Sequence, residues 1–174
     1  MCLSRIIRLA LVILVAVPVG VTTTRAAEPD VGAAGTATYL AAEPRLWAIV
    51  VGVTKYLDPA VPAWEMGVPD ARLVHDALVN RAGCAAERVL MMTDDQPKPL
   101  QPLGVNLRRG IPEWLAKASP ADTVLVFYAG RAFVRAGGRG YLAPQDCEPA
   151  RAEASAIPIE SLREMLAQYV RVID

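Results

Sequence analysis

The sequence predicts an α/β fold whose mainly parallel sheet carries helices on both faces. Three observations predict it. Short, unbroken apolar runs rich in β-branched residues recur along the chain, stretches of helical period separate them, and turn-forming residues punctuate each change.

The first run, LWAIVVGV at 46–53, ends in the turn-forming KYLDP. RVLMM at 88–92 is the second and TVLVFY at 123–128 the third, while YVRVI, beginning at Tyr169, is the fourth. Continuous rather than alternating apolarity marks strands covered on both faces. The fourth run stops one residue before the last, so the sheet is expected to be incomplete at its carboxyl end. Within 69–81, Ala71, Val74, Ala77 and Leu78 share one side of a helix, and Arg72, Asp76 and Asn80 point elsewhere. Leu107, Ile111, Trp114, Leu115 and Ala118 recur at threes and fours, with Pro112 predicted to kink that helix or delay its start. After Pro158, a residue suited to a first helical turn, Ile159, Leu162, Met165 and Leu166 fall together. Residues 137–142 predict a small hairpin outside this rhythm.

A chain of 174 residues, 53% of them apolar, can bury one core but not two comfortable ones. Residues 1–26 stand apart from that core. Arg5 and Arg8 precede an apolar run at 9–21, and TTTRAA follows with small residues for cleavage near Ala26 or Ala27. This is the pattern of a secretory signal peptide, too short for a comfortable bilayer span, with an uncleaved N-terminal anchor as the alternative. Residues 27–44 are Ala-, Gly- and Thr-rich and read as a flexible leader, leaving 45–174 as the folded domain. The expected location is periplasmic or extracellular, with no stable membrane span after cleavage.

Without the signal segment, fifteen basic residues face eighteen acidic ones, a net charge of about −3 at neutral pH. No basic cluster exceeds Arg108-Arg109, so nucleic acid is not an expected partner. Nucleotide binding lacks its glycine-rich turn: Gly52 closes the first run alone, and no strand delivers RAGGRG into a helix. Cys84 and Cys147 form either one disulfide or two buried thiols, and their spacing suits no zinc site. His75 is the sole histidine and lies beside the apolar stripe, where a surface role is the simpler reading; Asp76, its neighbour in sequence, is not expected to face it. Ser119, Ser155 and Ser161 lack a nucleophile-elbow context. Asp94 and Asp95, after the second run, and Asp146, after YLAPQ, sit where open α/β sheets place their sites; they are weak candidates for holding a cation or a basic side chain. The run ending in Tyr128-Ala129-Gly130 presents Arg131 at the same edge. A guanidinium has no lone pair with which to accept a proton, so Arg131 can clamp a carboxylate or support a loop but cannot activate a thiol.

These blocks, taken in order, resemble the amino-terminal part of a caspase-like peptidase domain of the bacterial metacaspase kind. LWAIVVGVTKY, VPDARLVHDAL, AERVLMMTDD, DTVLVFYAGRAF, GRGYLAPQD, IPIESLREML and YVRVID cover about 130 residues, and their order carries more weight than any one of them. The resemblance implies a caspase-like three-layer fold and cysteine endopeptidase ancestry. It further implies a catalytic histidine at the position of Arg131, with Ala132 in a glycine place, and a nucleophilic cysteine just beyond Asp174. Neither Cys84 nor Cys147 matches that cysteine. Asp146 and Arg131 become candidates for a substrate-pocket loop; no organic cofactor is implied, and calcium enters by family analogy alone.

The expectation is therefore a caspase-like domain without its own peptidase activity, binding peptide or protein. One alternative is the front part of a longer cysteine endopeptidase, cut short by a frameshift, early stop or gene boundary. Another is an exported structural or interaction module.

Overall fold

A computed structural model describes residues 5–15, 45–135 and 137–169. Its parallel heart is three strands, β2 (Leu46–Gly52), β3 (Val89–Thr93) and β4 (Thr123–Val134), in the order β3-β2-β4. The helix α1 (Gly67–Asn80) joins β2 to β3, and α2 (Gly104–Leu115) joins β3 to β4. A hairpin then adds β5 (Gly140–Leu142), antiparallel to the end of β4, with Gly137 and Gly138 at positive φ in its turn. The short α3 (Ala152–Ser155), the two-residue β6 (Ile157–Pro158) and α4 (Ile159–Tyr169) complete the described order. A further strand, β1 (Arg5–Val15), pairs antiparallel with β4.

The apolar runs were predicted to be covered on both sides, and strand parity shows how. Trp47, Ile49 and Val51 of β2 and Val124, Val126 and Tyr128 of β4 face α2 and α4, packing on Leu107, Ile111, Leu115, Leu162 and Leu166. Ala48 and Val50, with Phe127 and Ala129, face α1 through Ala71 and Leu78. A third cluster of Phe133, Tyr141, Ala143, Cys147 and Ala156 fills the hairpin end.

Several expectations change in detail. The helix over 104–115 starts well before Pro112 and runs through it, so the proline does not delay its start. β4 extends six residues past Tyr128, because its last residues gain a second neighbour in β5. Tyr169 closes α4 rather than opening a strand, and 170–174 lie outside the described residues. Residues 1–26 were set apart from the core, yet the backbone of 5–15 aligns with β4 over eleven residues. No described helix is long and apolar enough to cross a membrane.

Asp122 fixes the entry to β4. Its buried carboxylate accepts hydrogen bonds from the Arg45 amide (2.9 Å), the Trp47 indole (2.9 Å) and the Ser119 amide (2.9 Å). Burial by itself raises the carboxyl pKa, but the bonds from Ser119, Arg45 and Trp47 together hold it below the ordinary value. A depressed folded-state pKa stabilises above the unfolded-state value, and that contribution is lost as pH falls through the folded value. Asp122→Ala is expected to cost about 2–4 kcal/mol near neutrality. The difference from the parent should shrink on acidification below about pH 4, read by denaturant titration across pH. A pH-independent difference would remove the charge from this account.

Candidate functional site

The candidate site is the carboxyl edge of β2 and β4, where the loop from Val53 to Met66 crosses before α1 begins. Close backbone packing seats that loop. A Cβ built on Gly67 would lie 2.2 Å from the Val53 carbonyl oxygen, and one on Gly52 would lie 2.4 Å from that of Gly67. The end of β2 and the start of α1 therefore meet backbone to backbone. Thr54 Oγ1 accepts the Val68 amide at 3.0 Å, continuing the junction into the first turn of α1.

Arg131 is the charged centre of this edge, and it is only 8% exposed. Its side chain turns toward the loop: Nε donates to the Pro62 carbonyl (3.0 Å) and Nη2 to the Ala63 carbonyl (2.5 Å). The guanidinium carbon sits 5.5 Å from the centre of the Trp64 ring, within cation–π range. Its backbone amide donates to the Tyr56 hydroxyl at 2.6 Å. Of the two roles open to it in the sequence, Arg131 performs loop support in this structure.

Two buried tyrosines finish the arrangement. The Tyr128 hydroxyl lies 2.6 Å from the Ala143 carbonyl oxygen and 3.0 Å from that of Arg131, and it also bonds the Tyr56 hydroxyl. Burial pushes Tyr56 up to about 12, and burial pushes Tyr128 well above its ordinary value, so both remain neutral phenols at physiological pH. Gly130 leaves them room, because a Cβ there would lie 2.6 Å from the Tyr128 hydroxyl and 2.9 Å from that of Tyr56. Tyr56 and Trp64 escaped the sequence reading. For Tyr56 the available signal was the need of a buried aromatic hydroxyl for a partner; for Trp64 there was none.

The three candidate aspartates are all engaged in bonds within the chain. Asp94 accepts the Thr54 amide (2.8 Å) on one oxygen and the Lys55 amide (3.1 Å) on the other, anchoring the start of the loop whose middle Arg131 holds. Asp95 pairs with Arg72 and accepts from the Thr93 hydroxyl at 2.5 Å. Asp146 accepts the Gly104 amide at 2.7 Å and so caps α2. The Leu57 amide donates to the Gln145 carbonyl (2.8 Å), tying the turn segment after β5 to the same loop. Asp94, Arg131 and the 143–146 segment thus converge on one loop; Asp95 faces α1 instead. Among the described residues no three His, Cys, Asp or Glu side chains converge as a metal would require. With its oxygens on backbone amides, Asp94 does not fit a calcium site as arranged.

The thiols lie elsewhere. Cys84 and Cys147 are both free and buried, in different core clusters. Cys84 Sγ donates to the Leu46 carbonyl at 3.2 Å, and Cys147 Sγ lies 3.6 Å from Ser155 Oγ. Burial pushes each thiol up, away from the thiolate needed for attack. His75 sits on α1 with Nδ1 3.1 Å from Asp76 Oδ1. That contact corrects the expectation that these neighbours would not face each other: the exposed Asp76 side chain bends toward the half-buried His75 ring.

A concavity of about 280 Å³ lies beside the edge strand β3, between it and α2. Leu90, Met92, Leu100, Arg109, Trp114 and Lys117 are among its walls. The Lys117 ammonium sits 4.2 Å over the Trp114 ring.

Parallel strands joined by helices on alternate faces, with a hairpin added beyond the third, are consistent with a caspase-like α/β fold. No family model matches the chain. Two plant proteins do: metacaspase-4 of Arabidopsis thaliana is 32% identical over 63 residues, and metacaspase-7 of the same plant is 33% identical over 63 residues. Each match covers 36% of this chain but only 15% and 16% of those longer proteins. They support a caspase-like, metacaspase-type relationship for this chain.

Proposed function

We propose that the chain is an exported caspase-like domain that does not cleave peptides itself and acts by binding a peptide or protein. Cleavage by a thiol peptidase needs an accessible thiolate and a group able to take and return a proton. The observation that carries the reading is Arg131. By resemblance it stands in the histidine place, and its guanidinium is buried against two loop carbonyls and an indole. The neutral tyrosines beside it are poor bases, and the thiols Cys84 and Cys147 are sealed in the core. Arg131 and Asp146 serve as internal supports in this reading, which leaves peptide recognition to the surfaces around the strapped loop. The apolar run behind Arg5 and Arg8 supports export.

The test is turnover of fluorogenic peptides ending in Arg, Lys or Asp by the purified chain. No release is expected with the parent or with Arg131→His, since one imidazole supplies no nucleophile. Protein recovered from the exported fraction should begin near residue 27 by intact mass. Turnover that is abolished by thiol alkylation would refute the non-catalytic reading.

A further inference from the structure

β2 pairs with one edge of β3, and among the described residues no strand pairs with the other. Proteins keep such an edge from further pairing with a lysine, a proline or a bulge. β3 reads VLMMT and carries neither charge nor proline. The concavity of about 280 Å³ runs beside it, under α2. We propose that this edge and the concavity together form a docking groove for an extended peptide segment of another protein. The segment carries an apolar residue with an acidic residue two positions away on each side. The groove is separate from Arg131 and its loop.

Strand addition supplies main-chain hydrogen bonds, and pockets for alternate side chains supply the selectivity. A strand laid on β3 turns every second side chain toward the α2 face of the sheet. Leu90 and Met92 lie on that face and, with Trp114 and the exposed Leu100, give the concavity its apolar surface. Gly110 keeps it open, since a Cβ there would meet nothing nearer than the Met92 sulfur at 3.9 Å. The charges on the wall are ordered. Arg109, Glu113 and Lys117 recur every four residues along one helix face, positive, negative, positive. Among the described residues no carboxylate pairs with Lys117, whose ammonium rests on the Trp114 ring. Arg109 lies 3.8 Å from Glu113 through Nε alone, a contact that leaves guanidinium donors for a ligand. Arg109 and Lys117 are eight positions apart, about 12 Å at helical rise. Residues four apart in a strand are about 13 Å apart, so two acids at that spacing meet both cations together. Glu113 repels an acid at the place between them, which falls to an apolar side chain over Leu90, Met92 and Trp114.

The test titrates the full chain into a fluorescent peptide with the order Glu-Thr-Leu-Thr-Glu between threonine flanks, followed by anisotropy. Saturable binding is expected, weakened about tenfold or more when both glutamates are replaced by lysine. Lys117→Glu, on the exposed surface, should weaken binding of the acidic peptide to a similar extent and improve binding of the lysine peptide. Gly110→Leu, which fills the groove, should also weaken it about tenfold or more. Methylating the peptide's backbone nitrogens at alternate residues should abolish binding for one set and spare it for the other, because only one set faces β3. Absence of saturable binding below about 1 mM, equal affinity for the acidic and lysine peptides, or tolerance of both methylated sets would overturn the proposal. Self-association of the chain through β3 in place of peptide binding would overturn it equally. Peptide turnover is scored separately, so failure here and failure of the non-cleaving reading are told apart.

Discussion

Replacing Arg131 with Leu is expected to destabilise the fold by about 2–4 kcal/mol, the scale of losing hydrogen bonds to a charged group in a buried setting. For a domain of this size that corresponds to a fall in Tm of roughly 5–15 °C. The side chain is 8% exposed, and it lies beneath the exposed residues Pro62 and Ala63, whose carbonyls it holds. Both oxygens then lose a charged donor, the buried space of the guanidinium is left ill-filled, and Trp64 loses its cation. Arg131→Lys keeps the charge but presents a single point rather than a planar fork, and it should recover less than half of the loss. Thermal unfolding of the three proteins decides the matter. If Arg131→Leu unfolds at the parent temperature, the loop is not held by this residue.

Gly67→Ala should be as damaging, at about 3 kcal/mol, the upper end of the overpacking range. Its new methyl group would lie 2.2 Å from the Val53 carbonyl oxygen and 2.9 Å from the Thr54 amide nitrogen. Both obstacles are backbone, so relief requires β2 and α1 to separate, opening the junction on which the loop is seated. Gly110→Ala is the matched control within α2. Its nearest neighbour is the flexible Met92 sulfur at 3.9 Å, so alanine there should be neutral or stabilising by about 0.5–1 kcal/mol through helix propensity. Denaturant midpoints for the pair should move in opposite directions or differ by most of the Gly67→Ala loss; equal midpoints would contradict the packing argument.

The fold was legible where periodicity is strong. Runs at 46–53, 88–92 and 123–128 became adjacent parallel strands, and the stripes through Ala71 and Leu78 and through Leu107, Ile111 and Leu115 became the helix faces covering them. Residue 131 was expected just past the end of a strand closing at Gly130; it lies instead within β4, which runs on to Val134 beside β5. What it touches was not legible. The Pro62 and Ala63 carbonyls lie 69 and 68 residues away in sequence, and no local pattern marks a backbone oxygen as an acceptor. The same limit applies to Asp94 and Asp146, whose positions after apolar runs suggested a cation or pocket. In the fold they cap backbone amides, a role that depends on which chain end approaches them. Proximity to Thr93 and Arg72 similarly assigns Asp95 to a surface contact.

Arg131, Tyr56, Tyr128 and Asp94 together describe a carboxyl edge given over to holding one loop. On the related scaffold the resemblance implies acid–base chemistry at that edge, and the difference is one of proton affinity: a guanidinium donates and does not accept.

The most direct measurement is intact-mass and peptide-level mass spectrometry of the folded chain after incubation with peptidyl electrophiles that carry Arg, Lys or Asp next to the reactive carbon. With both thiols buried and burial holding each above its ordinary pKa, no adduct is expected at Cys84 or Cys147 until the protein is unfolded, when both should react. A stoichiometric, peptide-directed adduct on either cysteine of the native chain would contradict the account.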